Sequence, residues 1–107
     1  MELTRRDGSR RTEYAVNLSP GGLCLHLPRP IAVGEVVELA FAIPAPSAAE
    51  LAIPGGRIVA HGRVIWAERR AEGAGGGRVR FTETGVRFEG LGEPDRLRIL
   101  DFVRQGG

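Results

Sequence analysis

The sequence predicts a mainly β protein, in which several short antiparallel strands form a small barrel or sandwich that one C-terminal α-helix closes. Three observations predict this class. Sixteen glycines and seven prolines divide the 107-residue chain into short segments, and most of these alternate apolar and polar residues as half-buried strands do. Turn signals recur about every ten residues, which is typical of small barrels and sandwiches. Only the last segment has the apolar spacing of a helix.

The first two strands are expected at Glu2–Arg6 and Arg10–Val16. They flank Asp7-Gly8, a dipeptide that favours tight hairpins because both residues tolerate a positive φ. Residues 17–22, with the sequence Asn-Leu-Ser-Pro-Gly-Gly, form a turn cluster. Asn and Ser side chains cap backbone amides there, Pro fixes φ and Gly frees it.

The rest of the chain before the helix supplies the other strands. In Leu23–Leu27 the leucines share one face, and Cys24 and His26 share the other. The remaining strands are expected at Glu35–Ile43, at Arg57–Ala67 and, as one or two strands around Gly85, at Arg78–Phe88, with loops over residues 44–56 and 68–77 between them. In the strand Arg57–Ala67 the alternation places Trp66 on the core face, together with Ile58, Ala60 and Val64.

The helix is expected over residues 94 to about 104. Pro94 suits the first helical turn, and the acidic residues on either side of it favour the positive end of the helix. The apolar stripe consists of Leu97, Leu100 and Val103, with Ile99 and Phe102 beside it.

Length and composition limit the function classes. A chain of this length forms one domain, residues 1–107, and can fold without metal or disulfides. All 15 basic residues are Arg, yet the net charge is only +2, so the arginines do not make the whole surface strongly cationic. The chain has a single cysteine and lacks both a signal peptide and an apolar run long enough for a bilayer. We therefore expect a soluble cytoplasmic protein.

Enzymatic constellations are scarce. His26 and His61 lie on separate strands and no paired Cys or His spacing exists, so no metal site is expected. Cys24 with either histidine would make a nucleophile and base, but a lone Cys on a strand is typically a small buried hydrophobe. The run Gly73–Gly77 lacks the Lys and Ser/Thr of a phosphate loop. We expect a protein that is not an enzyme and has no cofactor.

Residues 17–25 resemble the Asp/Asn-x-Ser-x-x-Gly signature of PilZ domains, with Asn17, Ser19 and Gly22 at the defining positions. The resemblance continues in the same order through nearly the whole chain. It includes residues 27–30, 33–35, 62–66 and 84–88 and the closing helix. It implies a six-stranded barrel with a C-terminal helix and, in many members, a receptor for the bacterial second messenger cyclic di-GMP.

The resemblance also implies which residues bind the ligand. In the family the Asn-x-Ser-x-x-Gly turn contacts a guanine edge, and an Arg-x-x-x-Arg motif before the first strand binds the phosphates. Asn17 and Ser19 would supply hydrogen bonds, and Gly22 would let the backbone approach the ligand. The matching arginines are Arg6 and Arg10, although they flank the predicted hairpin instead of preceding the first strand. If Glu2–Arg6 is the family's first strand, the segment that carries the arginines in the family would precede Met1 and is expected to be missing.

Two functions follow from this departure. The first is a cyclic di-GMP receptor that relays the signal to a partner protein, with Arg6 and Arg10, or others such as Arg29 or Arg87, in the phosphate role. The second is a domain that has lost the ligand and acts as a protein-interaction adaptor, as in motility or pilus assembly. Binding of single-stranded nucleic acid is disfavoured, because the aromatic residues that it needs fall mostly at expected core positions.

Overall fold

The computed structural model describes residues 1–43, 57–73 and 79–104. Over these ranges the chain forms seven β-strands and one α-helix. They are β1 (Glu2–Thr4), β2 (Arg10–Thr12), β3 (Tyr14–Ser19), β4 (Gly22–Leu27), β5 (Val36–Ala42), β6 (Arg57–Glu72), β7 (Val79–Glu89) and α1 (Glu93–Arg104). All seven strands belong to one antiparallel sheet in the order β2-β1-β5-β6-β7-β4-β3. The predicted loop over 44–56, and residues 74–78 of the next loop and strand, lie outside the described residues.

The mainly β fold with a C-terminal helix is confirmed, and the strand count differs from the prediction by one. The expected strand Arg10–Val16 is divided at Glu13 into β2 and the start of β3. Because β2 pairs with β1 and β3 pairs with β4, the two parts form opposite edges of the sheet. No backbone pairing between the described strands joins these edges, so the sheet is not a closed barrel. The chain itself connects them, and the Glu13 amide donates to the Met1 carbonyl at 2.8 Å.

The core lies on one face of the sheet and beneath the helix. In β4 the leucines are buried, whereas Cys24 and His26 face outward, as predicted. Their neighbours in the core include Leu3, Ile31, Val37, Leu39, Val64 and Val86. On α1, Ile99 is fully buried and packs in a cluster with Ile43, Ile58 and Ala60. Each such aliphatic side chain contributes about 1.5–3 kcal/mol through burial, so this core holds the fold together.

The prediction that Trp66 belongs to the core is wrong, and the reason is a β-bulge in β6. The β6–β7 register shifts between Val64 and Trp66, so Ile65 is the extra residue. One added residue inverts the alternation that follows it. Trp66 is therefore on the outer face of the sheet, 40% exposed, although Val64 is buried. The expected start of the loop at Glu68 is also wrong, since β6 continues to Glu72 in register with β7.

The first hairpin forms around Asp7-Gly8 as predicted, with a wider loop than expected. β1 ends at Thr4, and the Arg5 amide donates to the Ser9 carbonyl at 2.8 Å. Of the two residues Asp7 and Gly8, only Gly8 has a positive φ, of 88°, a conformation that favours glycine. The Asp7 carboxylate accepts a hydrogen bond from the Ser9 amide at 2.8 Å, which closes the turn.

A bidentate ion pair attaches this hairpin to the rest of the sheet. The guanidinium of Arg5 donates to both carboxylate oxygens of Glu35, at 2.9 and 2.8 Å. These hydrogen bonds lower the pKa of Glu35 below its ordinary value of 4.5. Such forked pairs are the stronger kind of ion pair. Because its charge is paired with Glu35, Arg5 does not add a free positive charge to the hairpin that also carries Arg6 and Arg10.

Replacing Arg5 with alanine is expected to lower the free energy of unfolding by about 1 kcal/mol near neutral pH. A carboxyl with a lowered folded pKa stabilises the fold above its unfolded pKa, and this stabilisation is lost as the pH falls through the folded value. Denaturant unfolding from pH 7 to pH 3 should therefore show a weaker acid dependence in Arg5→Ala than in the wild type. Arg6→Ala, an exposed neighbour, is the control. An acid dependence that Arg5→Ala leaves unchanged would contradict this role for the pair.

Candidate functional site

The turn between β3 and β4 is a tight hairpin with Pro20 and Gly21 at its tip. Ser19 pairs with Gly22 in the ladder, and the Ser19 hydroxyl donates to the Gly22 carbonyl at 3.2 Å. The Gly21 carbonyl accepts a hydrogen bond from the Phe88 amide at 2.9 Å, which attaches the tip to β7. These contacts tie the turn together and attach it to β7, and they leave the Asn17 side chain exposed.

Gly22 lacks a side chain for a reason that the sequence did not reveal. A Cβ at this position would overlap the carbonyl oxygen of Val86 and crowd the Cα of Arg87. Both atoms belong to the backbone of β7, which pairs with β4 here. The glycine thus permits close approach of two strands at the turn. The ligand contact inferred for Gly22 from the family resemblance stays a prediction.

The turn borders a shallow depression of about 300 Å³ on the outer face of the sheet. The three motif residues, Asn17, Ser19 and Gly22, all line it, together with Gly21, Leu23, Cys24, Ile65, Trp66, Gly85, Val86 and Arg87. The strand registers explain this grouping. Cys24 is opposite Asn17 on one side and Gly85 on the other, and Gly85 is opposite Trp66. The same outer face therefore carries polar side chains at one end and an indole at the other.

Arg87 supplies the positive charge of this depression. It is exposed and lies opposite Gly22 on β4 and opposite Arg63 on β6. Arg63 donates to the Glu89 carboxylate and, at 2.9 Å, to the Gly34 carbonyl. Within the part of the chain that the structure describes, no ion pair involves Arg87. The charge of Arg63 is therefore paired with Glu89, and Arg87 is the arginine that lines the depression.

The structure does not bring Arg6 and Arg10 to the depression. Arg6 lies in the hairpin loop, and Arg10 begins β2, at 4.0 Å from the Glu2 carboxylate. Arg10 and Ser19 occupy opposite ends of the extended segment formed by β2, Glu13 and β3. Neither arginine is among the residues that line the depression. Their role in ligand binding stays a prediction that this geometry does not favour.

The contacts of His26, His61 and Cys24 bear on the catalytic and metal-binding roles that were considered for them. The His26 ring stacks on Phe81 with centroids 4.2 Å apart, and the Nε2 atom of His61 is 3.9 Å from the Glu38 carboxylate. Burial and, to a smaller extent, the Glu83 carboxylate raise the pKa of the Cys24 thiol above its ordinary value. A thiol that stays protonated is a poor nucleophile. Across residues 1–43, 57–73 and 79–104, no three His, Cys, Asp or Glu side chains cluster to hold a metal.

Sequence reasoning missed Trp66 and Ile65 as members of this surface. The signal was the run Val64-Ile65-Trp66, since three consecutive large apolar residues of a strand cannot all face one core. Assigning Trp66 to the core assumed unbroken alternation, and the bulge at Ile65 breaks it. Arg87 did appear among the candidate arginines, and it is the one that the structure places beside the motif.

Comparison with known proteins gives one match. The family model described as PilZ domain matches residues 2–105, which is nearly the whole chain. No curated protein and no solved structure matches the chain significantly. None of the described helices is long and apolar enough to span a membrane.

Proposed function

The chain belongs to the PilZ domain family, and from this premise we propose that it is a non-enzymatic receptor for cyclic di-GMP that relays the signal to a partner protein. One observation carries the proposal: Asn17, Ser19 and Gly22 line the same depression as Arg87. A cytoplasmic location is part of the proposal, since the single cysteine gives no support to an oxidising compartment.

The chemistry of the depression suits a doubly anionic ligand with two guanines. The exposed Asn17 amide offers both a donor and an acceptor to a guanine edge, and the Ser19 hydroxyl offers a further hydrogen bond. Arg87 presents a planar fork of donors to a phosphate. This arrangement supports Arg87, in place of Arg6 and Arg10, as the arginine that binds a phosphate of the ligand.

Calorimetric titration with cyclic di-GMP tests this assignment. We expect saturable binding by the wild type, and a loss of roughly 10- to 150-fold in affinity for Arg87→Ala, the cost of one charge-assisted hydrogen bond. Ser19→Ala and Asn17→Ala should each weaken binding about tenfold. Arg29→Ala removes an equal charge from an exposed site outside the depression and should bind like the wild type.

Two results would contradict the receptor assignment or its details. An absence of heat with tens of micromolar protein would contradict the receptor function itself. Full affinity in Arg87→Ala with a loss in Arg6→Ala or Arg10→Ala would move the phosphate contact to the first hairpin.

The adaptor function is the second candidate, and the position of the arginines favours it. The arginines that match the family's ligand motif lie on the first hairpin, away from the turn, and Arg5 beside them is paired with Glu35. An adaptor needs no nucleotide. It would bind its partner protein equally in the presence and absence of cyclic di-GMP, whereas a receptor would not.

A further inference from the structure

The second half of β6 is an unpaired edge of the sheet. β5 pairs with β6 only as far as Arg63, and the last backbone hydrogen bonds on that side are those of Val64. From Trp66 to Glu72, β6 pairs with β7, and no strand among the described residues pairs with its opposite side. All residues of this segment are exposed. The segment Trp66–Glu72, which we call the β6 edge, therefore presents free backbone donors and acceptors to another strand.

We propose that the β6 edge is an interface between two copies of this chain. The two edges would pair antiparallel about a two-fold axis at Arg69, so that the two sheets continue into one. In this alignment Glu68 of each copy lies opposite Arg70 of the other, and Ala67 lies opposite Ala71. The interface goes beyond the receptor function, because strand pairing at this edge needs no nucleotide.

The charges on the β6 edge favour this one alignment. Glu68 and Arg70 are two residues apart in the strand, so their side chains share one face of the sheet. In the proposed alignment each faces the opposite charge of the other copy, which stabilises a cross-strand pair. Sliding one strand by two residues, the smallest shift that keeps the same faces together, places Glu68 opposite Glu68 in one direction and Arg70 opposite Arg70 in the other. Charged residues on an edge ordinarily prevent pairing between copies, whereas these charges oppose only the shifted alignments.

Ion pairs within each copy leave Glu68 available for this contact. Arg70 donates to Glu68 at 3.1 Å and to Glu83 on β7 at 3.0 Å, so two carboxylates share one guanidinium. A second guanidinium, from the other copy, would complete the pairing of Glu68. Arg69 would lie opposite Arg69 of the other copy, but its guanidinium donates to Thr82 on β7 at 3.4 Å. Because this contact draws the side chain towards β7, it keeps the two like charges apart.

Sedimentation velocity of the nucleotide-free chain, from micromolar to millimolar protein, tests the interface. A single pair of strands is a small interface, so the wild type should shift from monomer to dimer only as its concentration rises. Glu68→Arg places two arginines opposite each other, and Arg70→Glu places two glutamates opposite each other. Each variant should therefore lose the dimer.

The double variant Glu68→Arg/Arg70→Glu is the decisive arm of this experiment. It exchanges the two charges, so opposite charges again face each other, and it should dimerise like the wild type. Arg96→Glu is the control, because it changes the net charge as Arg70→Glu does but lies exposed on α1. It should dimerise like the wild type. Circular dichroism shows whether each variant retains the sheet, and the double variant keeps the test valid if a single variant fails to fold.

Three results would overturn the proposal. The first is a wild type that stays monomeric at the highest concentration. The second is a dimer that both single variants retain, since the copies would then associate through another surface. The third is a folded double variant that stays monomeric, because opposite charges facing each other would then fail to restore the pairing. None of these results depends on cyclic di-GMP, whose binding calorimetry measures separately, so failure of the interface leaves the receptor function intact.

Discussion

Replacing Gly22 with alanine is expected to lower the free energy of unfolding by about 1–3 kcal/mol, the cost of forcing extra volume into a packed site. The added Cβ would overlap the Val86 carbonyl oxygen and crowd the Arg87 Cα. These are backbone atoms of the central part of the sheet, so relief requires β4 and β7 to separate. Thermal unfolding should show a midpoint lower by roughly 4–8 °C for each kcal/mol lost.

The adjacent glycine is the matched control for this substitution. A Cβ on Gly21 would meet only the Ser19 hydroxyl oxygen, at 3.9 Å, which is ordinary contact. Gly21→Ala should therefore unfold close to the wild-type temperature, although it changes the same turn by the same methyl group. Equal midpoints for Gly22→Ala and Gly21→Ala would show that close packing of β4 on β7 does not explain Gly22.

Replacing Leu25 with alanine is expected to cost about 2–5 kcal/mol, the largest effect that we predict. Leu25 is fully buried in the core cluster of the sheet, and its loss leaves a cavity as well as removing apolar burial. Urea unfolding should show a lower midpoint with an unchanged slope.

Cys24 is the control for Leu25, since it is the next residue in β4 and faces outward. Cys24→Ala should change the free energy of unfolding by less than about 1 kcal/mol, in the range of surface substitutions. A larger loss for Cys24→Ala than for Leu25→Ala would mean that the two faces of β4 are inverted.

The sequence predicted those parts of the fold in which period-two alternation continues without interruption. Leu23, Leu25 and Leu27 face the core as expected, because nothing interrupts β4. The helix was recognised from its apolar spacing and its acidic first turn, and it begins within one residue of the expected position. In β4 the local pattern and the tertiary packing favour the same face. On α1 the expected apolar stripe is wrong, because Leu97 and Val103 are exposed and Ile99 is the residue that the sheet buries.

The failures occur where a tertiary contact determines the backbone. The division of Arg10–Val16 at Glu13 arises because its two halves pair with different strands, β1 and β4. The bulge at Ile65 depends on the partner strand, in which Gly85 leaves room for Trp66. Pairing partners that are distant in the chain are not encoded in a local pattern.

The candidate site was predictable by residue type and not by arrangement. The resemblance to the PilZ signature identified Asn17, Ser19 and Gly22, and the structure groups them in one depression. Arg87 and Trp66 join them through strand registers across β4, β7 and β6, which no spacing indicates. The abundance of arginine therefore did not indicate which arginine lies at the candidate site. Arg87 is distinguished by its position beside the turn.

The most direct test follows the backbone amides of the isotope-labelled chain by NMR during titration with cyclic di-GMP. If the nucleotide binds over the depression, the largest shift changes should occur in the turn Asn17–Gly22, at Trp66 and around Gly85 and Arg87, with little change in the first hairpin. Changes concentrated at residues 5–10, or an unchanged spectrum at saturating ligand, would contradict a cyclic di-GMP site on this face.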